Sequence, residues 1–502
     1  MNKHIKFRCV PLLLLAAMLT SLTACGGEEP VETSDVPTDI ATTEAVDPTG
    51  ICELPDTDWG GREFRVLGYE NTANPQFSNF EIWTKAEDGD VVNDAVFRRN
   101  TAVEDRYHVK IVQYLDGSDA DQARSTIGHM RAMAMAGEEL YDLAFCAIRS
   151  IGTAAREGLF YDLNDVEYID FSKAWWNQKV NDTVAVNGRL FFTNSDFSLR
   201  DKNRVYLMLF NKELAEQYDL GNYYDMVRDG TWTIDKMAEG CKMAAGDANG
   251  DGQLDYYDTF GFAMDSYNGG VALAVGGGVK IMQQQDGDIV LTANDEHTVN
   301  VLDKVMTITA EERVGSSCQD WKGKVLPFSS HWSFSGNVFK EGRALFVSTF
   351  AHSLKTYSAD CVNDYGILPY PKYDEEQKDY YIYADSFGML FGIPSTTPTP
   401  DFSGFMLEAL SYQASSTSLP AYVEISCKTK YTYDNDSAEM LNLIFVNIVY
   451  EPAEIFGISG VQTILFDVIS TGKNTFASQY AKVEEMALID VEQMMEDIEA
   501  VE

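Results

Sequence analysis

The stretch Asp247-Ala-Asn-Gly-Asp-Gly-Gln-Leu-Asp-Tyr-Tyr-Asp258 is the densest chemistry in the chain. It puts oxygen-bearing side chains at loop positions one, three, five, nine and twelve, namely Asp247, Asn249, Asp251, Asp255 and Asp258. Gly252 stands sixth, where a cation-binding loop turns sharply, and the backbone carbonyl of Gln253 can serve as the seventh-position ligand. Carboxylates packed this closely repel one another unless a cation lies among them. Hard, flexible oxygen coordination suits calcium better than magnesium, which keeps more of its water. Asp258 replaces the usual Glu, so two-oxygen binding at the last position is less assured, and an Asp/Gly-rich turn without metal is the competing reading. A calcium ion here would be structural, because filled coordination leaves no open catalytic position. The remaining metal-ligating and nucleophilic residues are scattered. The eight Cys form no C-x-x-C pair and the six His no cluster. HExxH, GxSxG, P-loop and Rossmann fingerprints are absent from the sequence.

The elements that must hold such a loop are of α/β type. Glu63 to Gly68 alternates and ends on Gly, which predicts a strand. Val92, Ala95, Val96, Val103 and Tyr107 recur at helical spacing, and His108 to Val112 returns as a strand. A helix is expected from Asp119 to Ala136, stopped by Gly137. The apolar run Tyr141 to Ile148 then reads as a strand buried on both faces. Short joints between alternating strands and helices predict a parallel, helix-covered sheet. Leu190 to Thr193 and Arg204 to Phe210 read as further strands. Thr233 caps a helix through Met237 and Cys241, Phe260 to Met264 is a strand, and Glu296 to Thr309 is a helix. The rhythm restarts after about residue 200, implying a second lobe.

Charge narrows the function. The 78 acidic against 38 basic residues give a formal charge of −40. A nucleic-acid surface needs clustered cations, and an anionic bilayer would repel this chain in the same way. With 45% hydrophobic and 12% aromatic residues the composition is still that of a globular protein.

The N-terminus carries Lys3, Lys6 and Arg8, then the apolar run Val10 to Leu22. That run is too short to span a bilayer and reads as a signal peptide, residues 1–24. Leu22-Thr23-Ala24-Cys25 resembles the lipobox of bacterial lipoproteins, which implies cleavage before Cys25 and acylation of its thiol. Loss of the three leader cations would take the formal charge from −40 to −43. Residues 25–57 are rich in Pro, Thr, Glu and Asp and read as an extended acidic tether. Apart from Cys9 and Cys25, the cysteines are Cys52, Cys146, Cys241, Cys318, Cys361 and Cys427. An extracellular setting permits disulfides among them, but a chain this long does not need them for its core.

Several segments in order carry a wider resemblance: the lipobox; Gly89-Asp-Val-Val-Asn-Asp-Ala-Val96; Thr231-Trp-Thr-Ile-Asp-Lys-Met237; the Asp/Gly loop with Phe260-Gly-Phe262; Phe339-Lys-Glu-Gly-Arg-Ala-Leu-Phe346; and Tyr365-Gly-Ile-Leu-Pro-Tyr-Pro371. Together they resemble the extracellular solute-binding proteins of bacterial ABC importers, specifically the carbohydrate-type family 1 of Gram-positive lipoproteins. The resemblance implies an α/β, two-lobed periplasmic-binding-protein-like fold of type II, with mixed sheets flanked by helices and a ligand cleft at the hinge. It implies a first lobe from residues 58–196 plus 352–398, and a second from 197–351 plus 399–502. Crossing segments are expected near 194–203, 348–364 and 382–394.

By position, the family's ligand loops fall on Tyr69 and Glu70, Arg149 and Ser150, and Phe350 and His352. The crossings add Asp196, Arg200 and Asp385, with Trp332 as an aromatic platform. Such a mixture suits a sugar, whose hydroxyls take planar or charged partners and whose C–H face lies on an aromatic ring. The function implied is a non-catalytic, lipid-anchored, monomeric receptor on the outer face of the cell membrane, which passes a carbohydrate to an ABC permease. A secreted carbohydrate-active enzyme and a permease-independent surface sensor or adhesion module remain the competing readings.

Overall fold

A computed structural model describes residues 53–501 except 73, 118–121 and 286. The leader, Cys25, Cys52, most of the tether and the expected helix start at Asp119 lie outside the described residues.

The first lobe begins with strand β1 (Arg62–Tyr69), whose Phe64, Val66 and Leu67 are fully buried. Asp90 caps the following helix, Val91–Tyr107, by accepting from the backbone N–H groups of Val92 and Asn93. That helix ends at His108, whose φ of 50° takes the left-handed turn into β2 (Val109–Asp116). The helix Gln122–Ala136 leads to β3 (Leu143–Ala147), buried along its whole length. β2 and β3 both pair parallel with β1, as the alternation of strands and helices predicts.

The second lobe is built from β4 (Tyr206–Asn211), β5 (Phe260–Met264), the hairpin β6 (Met282–Gln285) and β7 (Asp288–Leu291), β8 (Gly315–Ser317), β9 (Ala344–Phe350) and β10 (Tyr365–Leu368). Its main sheet has the order β10-β4-β9-β5-β8, with β4 antiparallel to both neighbours and β5 parallel to β9 and β8. The chain then returns through β11 (Ile382–Tyr383) and β12 (Met389–Gly392). β12 closes the first sheet antiparallel to β3, giving the order β12-β3-β1-β2. β13 (Ile448–Val449) pairs parallel with β11. The result is the expected α/β architecture of mixed sheets flanked by helices.

Three details differ from the sequence reading. Leu190 to Thr193 forms no strand; Thr193 makes only an isolated bridge to Phe391. The segment 348–364 is not a crossing, because β10 pairs with β4 and keeps the chain in the second lobe; the return comes after β10. The division at 398/399 also shifts. The helix Pro400–Ser415 packs on Val91–Tyr107, and its Phe402, Phe405 and Met406 join the core that holds Phe64 and Val66. Its nearly continuous apolar face has no place on the second lobe once β12 has returned the chain to the first.

The first lobe is keyed by a buried cation. Arg99, fully enclosed, donates to the carbonyls of Glu81 at 2.6 Å and Ile82 at 3.1 Å and to Asn100. Burial of the guanidinium lowers its pKa to about 9, and the nearby Glu81 opposes that shift. The cysteines among the described residues are all free thiols: Cys146, Cys241, Cys318, Cys361 and Cys427.

Candidate functional site

In open α/β sheets, ligands gather beyond the carboxyl ends of parallel strands. Here the carboxyl ends of β3, β5 and β9 face a common region crossed by the hinge segments. Two of the cavities among the described residues lie there. The larger, about 500 Å³, is lined by Arg149 and Ser150 just after β3, and by Asn268 and Val271 in the helix after β5. Tyr383, Ser386 and Phe387 of the returning crossing form another wall, and residues from Glu451 to Phe466 close it. The smaller, about 290 Å³, is lined by Phe77, Arg204, Asp265, Trp332, Phe350 and His352 among others.

A ladder of aromatic rings and arginines separates the two. Arg149 lies 4.2 Å from the Phe387 ring centroid, and Arg204 lies 5.9 Å from it. Arg204 also stands 4.3 Å from the Phe350 ring and 5.1 Å from Phe77. Its Nε donates to Asp385 at 2.7 Å, and both side chains of that ion pair are buried. Phe350 stacks on His352 at 5.3 Å, and Phe77 of the first lobe meets His352 edge-on at 5.8 Å. Burial first, then Arg204 and Arg200, push the His352 pKa well down, so its imidazole is neutral.

Beneath the ladder, Tyr206 and Ser348 donate to Asp265 at 3.2 and 2.6 Å. Burial nonetheless raises the Asp265 pKa to about 6. Tyr206 stacks on Tyr383, whose hydroxyl donates to Glu454 at 2.7 Å. Glu451 accepts the backbone N–H groups of Ile281 and Met282 at 2.9 and 3.0 Å, tying the C-terminal segment to the second lobe. Burial raises both Glu451 and Glu454 to about 7.

The residues expected from the sequence divide between these places. Arg149 and Ser150 line the larger cavity; Trp332, Phe350 and His352 line the smaller; Asp385 anchors the partition through Arg204. Trp332 is 59% exposed at the rim. Tyr69 is buried and accepts from Asn71, whereas Glu70 is exposed; neither lines the two cavities. Asp196 sits beside Lys202 outside both, with burial raising its pKa to about 7. Arg200 is buried outside them too, donating to Asn203 at 3.1 Å, its pKa lowered to about 10 by burial. Sequence reasoning missed Phe77, Arg204, Asp265, Phe387, Glu451 and Glu454. Asp265 had a usable signal, since it follows the buried strand β5 just as Arg149 and Ser150 follow β3.

The Asp247–Asp258 loop lies away from both cavities. Asp247 accepts from the backbone N–H groups of Gly250 and Gly252, both at 2.7 Å, and Asp251 accepts from Gln253 N–H at 2.7 Å. Arg313 donates to Asp258 at 2.8 Å and to the Gln253 carbonyl. Among the described residues, no three Asp, Glu, His or Cys side chains converge as a ready-made metal set.

No protein-family model matches the chain, and no curated protein matches its sequence. Solved structures do match its fold. An ABC substrate-binding protein from Listeria monocytogenes, in complex with cycloalternan, aligns with TM-score 0.54 and 13% identity over 86% of this chain and 99% of that one. The maltose/maltodextrin-binding domain MalE from Bdellovibrio bacteriovorus, bound to maltotriose, aligns with TM-score 0.51 and 12% identity over 86% and 100%. UgpB from Mycobacterium tuberculosis, in complex with glycerophosphocholine, aligns with TM-score 0.54 and 13% identity over 87% and 99%. The chain therefore has the two-lobed periplasmic-binding-protein-like fold.

Proposed function

We propose that the protein is an extracellular solute-binding receptor of an ABC importer that captures an oligosaccharide or related polyol between its lobes. The observation that carries this reading is the cavity of about 500 Å³ walled jointly by first-lobe, second-lobe, hinge and C-terminal residues. A ligand touching all four would favour the closed arrangement by its differential contacts. The lining supplies what a sugar needs: Arg149, Asn268, Ser386 and Glu454 for hydroxyls, and Phe387 for a C–H face. The sugars in the complexes of the Listeria and Bdellovibrio proteins point the same way.

Glycoside hydrolysis requires two carboxyl groups on opposite sides of the scissile bond. Glu451 and Glu454 lie three residues apart on the same wall, one held by backbone N–H groups and the other by Tyr383. That arrangement favours recognition over cleavage. The lipobox-like Leu22 to Cys25 supports a lipid anchor at Cys25, and delivery to a permease completes the role. Among the described residues no helix is long and apolar enough to cross a membrane.

A thermal-shift panel of malto-oligosaccharides, cyclic glucans and glycerophosphocholine, with chromatography of the sugars afterwards, tests the reading. Stabilisation by a glycan that is recovered intact is expected. Hydrolysed product would overturn the receptor reading in favour of an enzyme, and stabilisation by glycerophosphocholine alone would overturn the carbohydrate class. Mass spectrometry of the membrane-extracted chain should show a diacylglyceryl group on Cys25.

A further inference from the structure

The cavity of about 500 Å³ has an unbalanced charge. Its charged lining is one cation, Arg149, against two carboxylates, Glu451 and Glu454. The two acids are not equivalent. Glu451 is committed to the backbone: its Oε2 accepts from Ile281 N–H at 2.9 Å, and its Oε1 from Met282 and Ala453 N–H at 3.0 and 3.2 Å. Glu454 is partly exposed, and its Oε2 accepts from the Tyr383 hydroxyl at 2.7 Å, with Ser386 beside it. Asp385 from the returning crossing and Glu451 from its own segment both act on it with like charge. The cations of the neighbouring elements are engaged elsewhere. Arg149 lies over Phe387 at 4.2 Å, Arg204 pairs with Asp385, Arg156 pairs with Asp490 and Asp497, and Lys280 acts on Glu451. Burial first, then these two acids, raises Glu454 to about 7 against the Tyr383 hydrogen bond.

A carboxylate in such a place takes up either a proton or a cation. A proton neutralises only the acid that binds it, whereas one ammonium beside Glu454 offsets the charge of Glu451 and Asp385 as well. Hydrogen bonds between an ammonium and a carboxylate are also about twice as strong as neutral ones. Tyr383 and Phe466 add aromatic surface to the same cavity, and such surface attracts cations. The formal charge of −40 favours the approach of a cationic ligand over an anionic one. We propose that the larger cavity selects a glycan carrying a free amino sugar, whose ammonium pairs with Glu454. This narrows the ligand class of the receptor reading and rests on it.

The test is calorimetry on the full chain with three β-1,4-linked tetrasaccharides that differ at one substituent: those of glucosamine, glucose and N-acetylglucosamine. At pH 7 the glucosamine form should bind about tenfold more tightly than either other, a difference of about 1.4 kcal/mol. Its affinity should rise about fivefold from pH 6 to pH 7, as Glu454 gives up its proton, and should weaken with added salt. Glu454→Gln should bind the amine and hydroxyl forms alike. Equal or tighter binding of the glucose or N-acetylglucosamine form would overturn the inference and leave the carbohydrate receptor standing. So would a malto-oligosaccharide that binds when none of the three does. Affinity for the glucosamine form that falls from pH 6 to pH 7, or an amine preference that survives in Glu454→Gln, would remove the pairing with Glu454. The pH profile is read on the wild type, so it decides the matter even if the variant folds poorly. Binding of spermidine and of no sugar would make the cavity a polyamine site, and binding of no glycan at all would sink the receptor reading itself.

Discussion

The two cavities on either side of the Arg204 partition are built on opposite plans. The larger is walled on several sides and carries Glu451 and Glu454, whose oxygens are held by backbone N–H groups and a tyrosine hydroxyl. The smaller is more open and aromatic, with Trp332 at its rim and Phe350 stacked on a neutral His352. Enclosure favours directional hydrogen bonds, because few waters compete for them; an open aromatic face favours stacking, which tolerates different sugars. The larger cavity is thus suited to fixing one unit of a ligand, and the smaller to supporting whatever extends from it.

The partition itself is where this comparison breaks most severely. Arg204→Ala leaves Asp385 buried without its cation, and urea unfolding should show a loss of about 3–5 kcal/mol. A loss below about 1 kcal/mol would mean that the pair is solvated in solution. Phe387→Ala removes an aromatic wall of the larger cavity. Calorimetry with the glycan identified by thermal shift should then show a weakening of roughly 2 kcal/mol, about thirtyfold. Trp332→Ala should weaken binding of a long oligosaccharide by about 1 kcal/mol and of a short one hardly at all. Equal effects on both lengths would place the fixed unit in the smaller cavity instead.

The least conspicuous difference is in pH dependence. Burial raises Glu451 and Glu454 from 4.5 to about 7, and Asp265 from 3.8 to about 6. Raised carboxyl pKa values mean that the folded state holds more protons than the unfolded chain across these windows. Stability from these groups is therefore fully present below the unfolded pKa and is lost as pH rises through the folded value. Tm should fall between about pH 4 and pH 7 and level off above that. Glu454→Gln should flatten the slope between about pH 4.5 and 7, and Asp265→Asn the slope between about pH 4 and 6.

Much of the first sheet was readable because its pattern is local. The all-buried Leu143–Ala147 and the helical spacing from Val92 to Tyr107 need no distant partner to be recognised. Arg149 and Ser150 were found because ligand loops follow such strands. Glu451 and Glu454 could not be found in that way. They enter the cavity only because the helix Pro452–Ile455 packs on Ile148–Arg156, some 300 residues earlier in the chain, and no local spacing marks that contact. Arg204 was read as the start of a strand, although β4 begins at Tyr206 and the arginine turns to Asp385 instead. Residues 399–502 are expected as a block in the second lobe, yet helix Pro400–Ser415 joins the first for a related reason: its apolar composition requires a covered position but does not choose between two sheets.

The return of β12 to the first sheet also sets a timetable. This edge strand is synthesised roughly 240 residues after β3, the neighbour it pairs with. Until it emerges, one edge of the first sheet has no partner, and the helix that covers Phe64 and Val66 has not yet been made. The lobe whose strands come first therefore completes its sheet and its core only after the strands of the second lobe have been made.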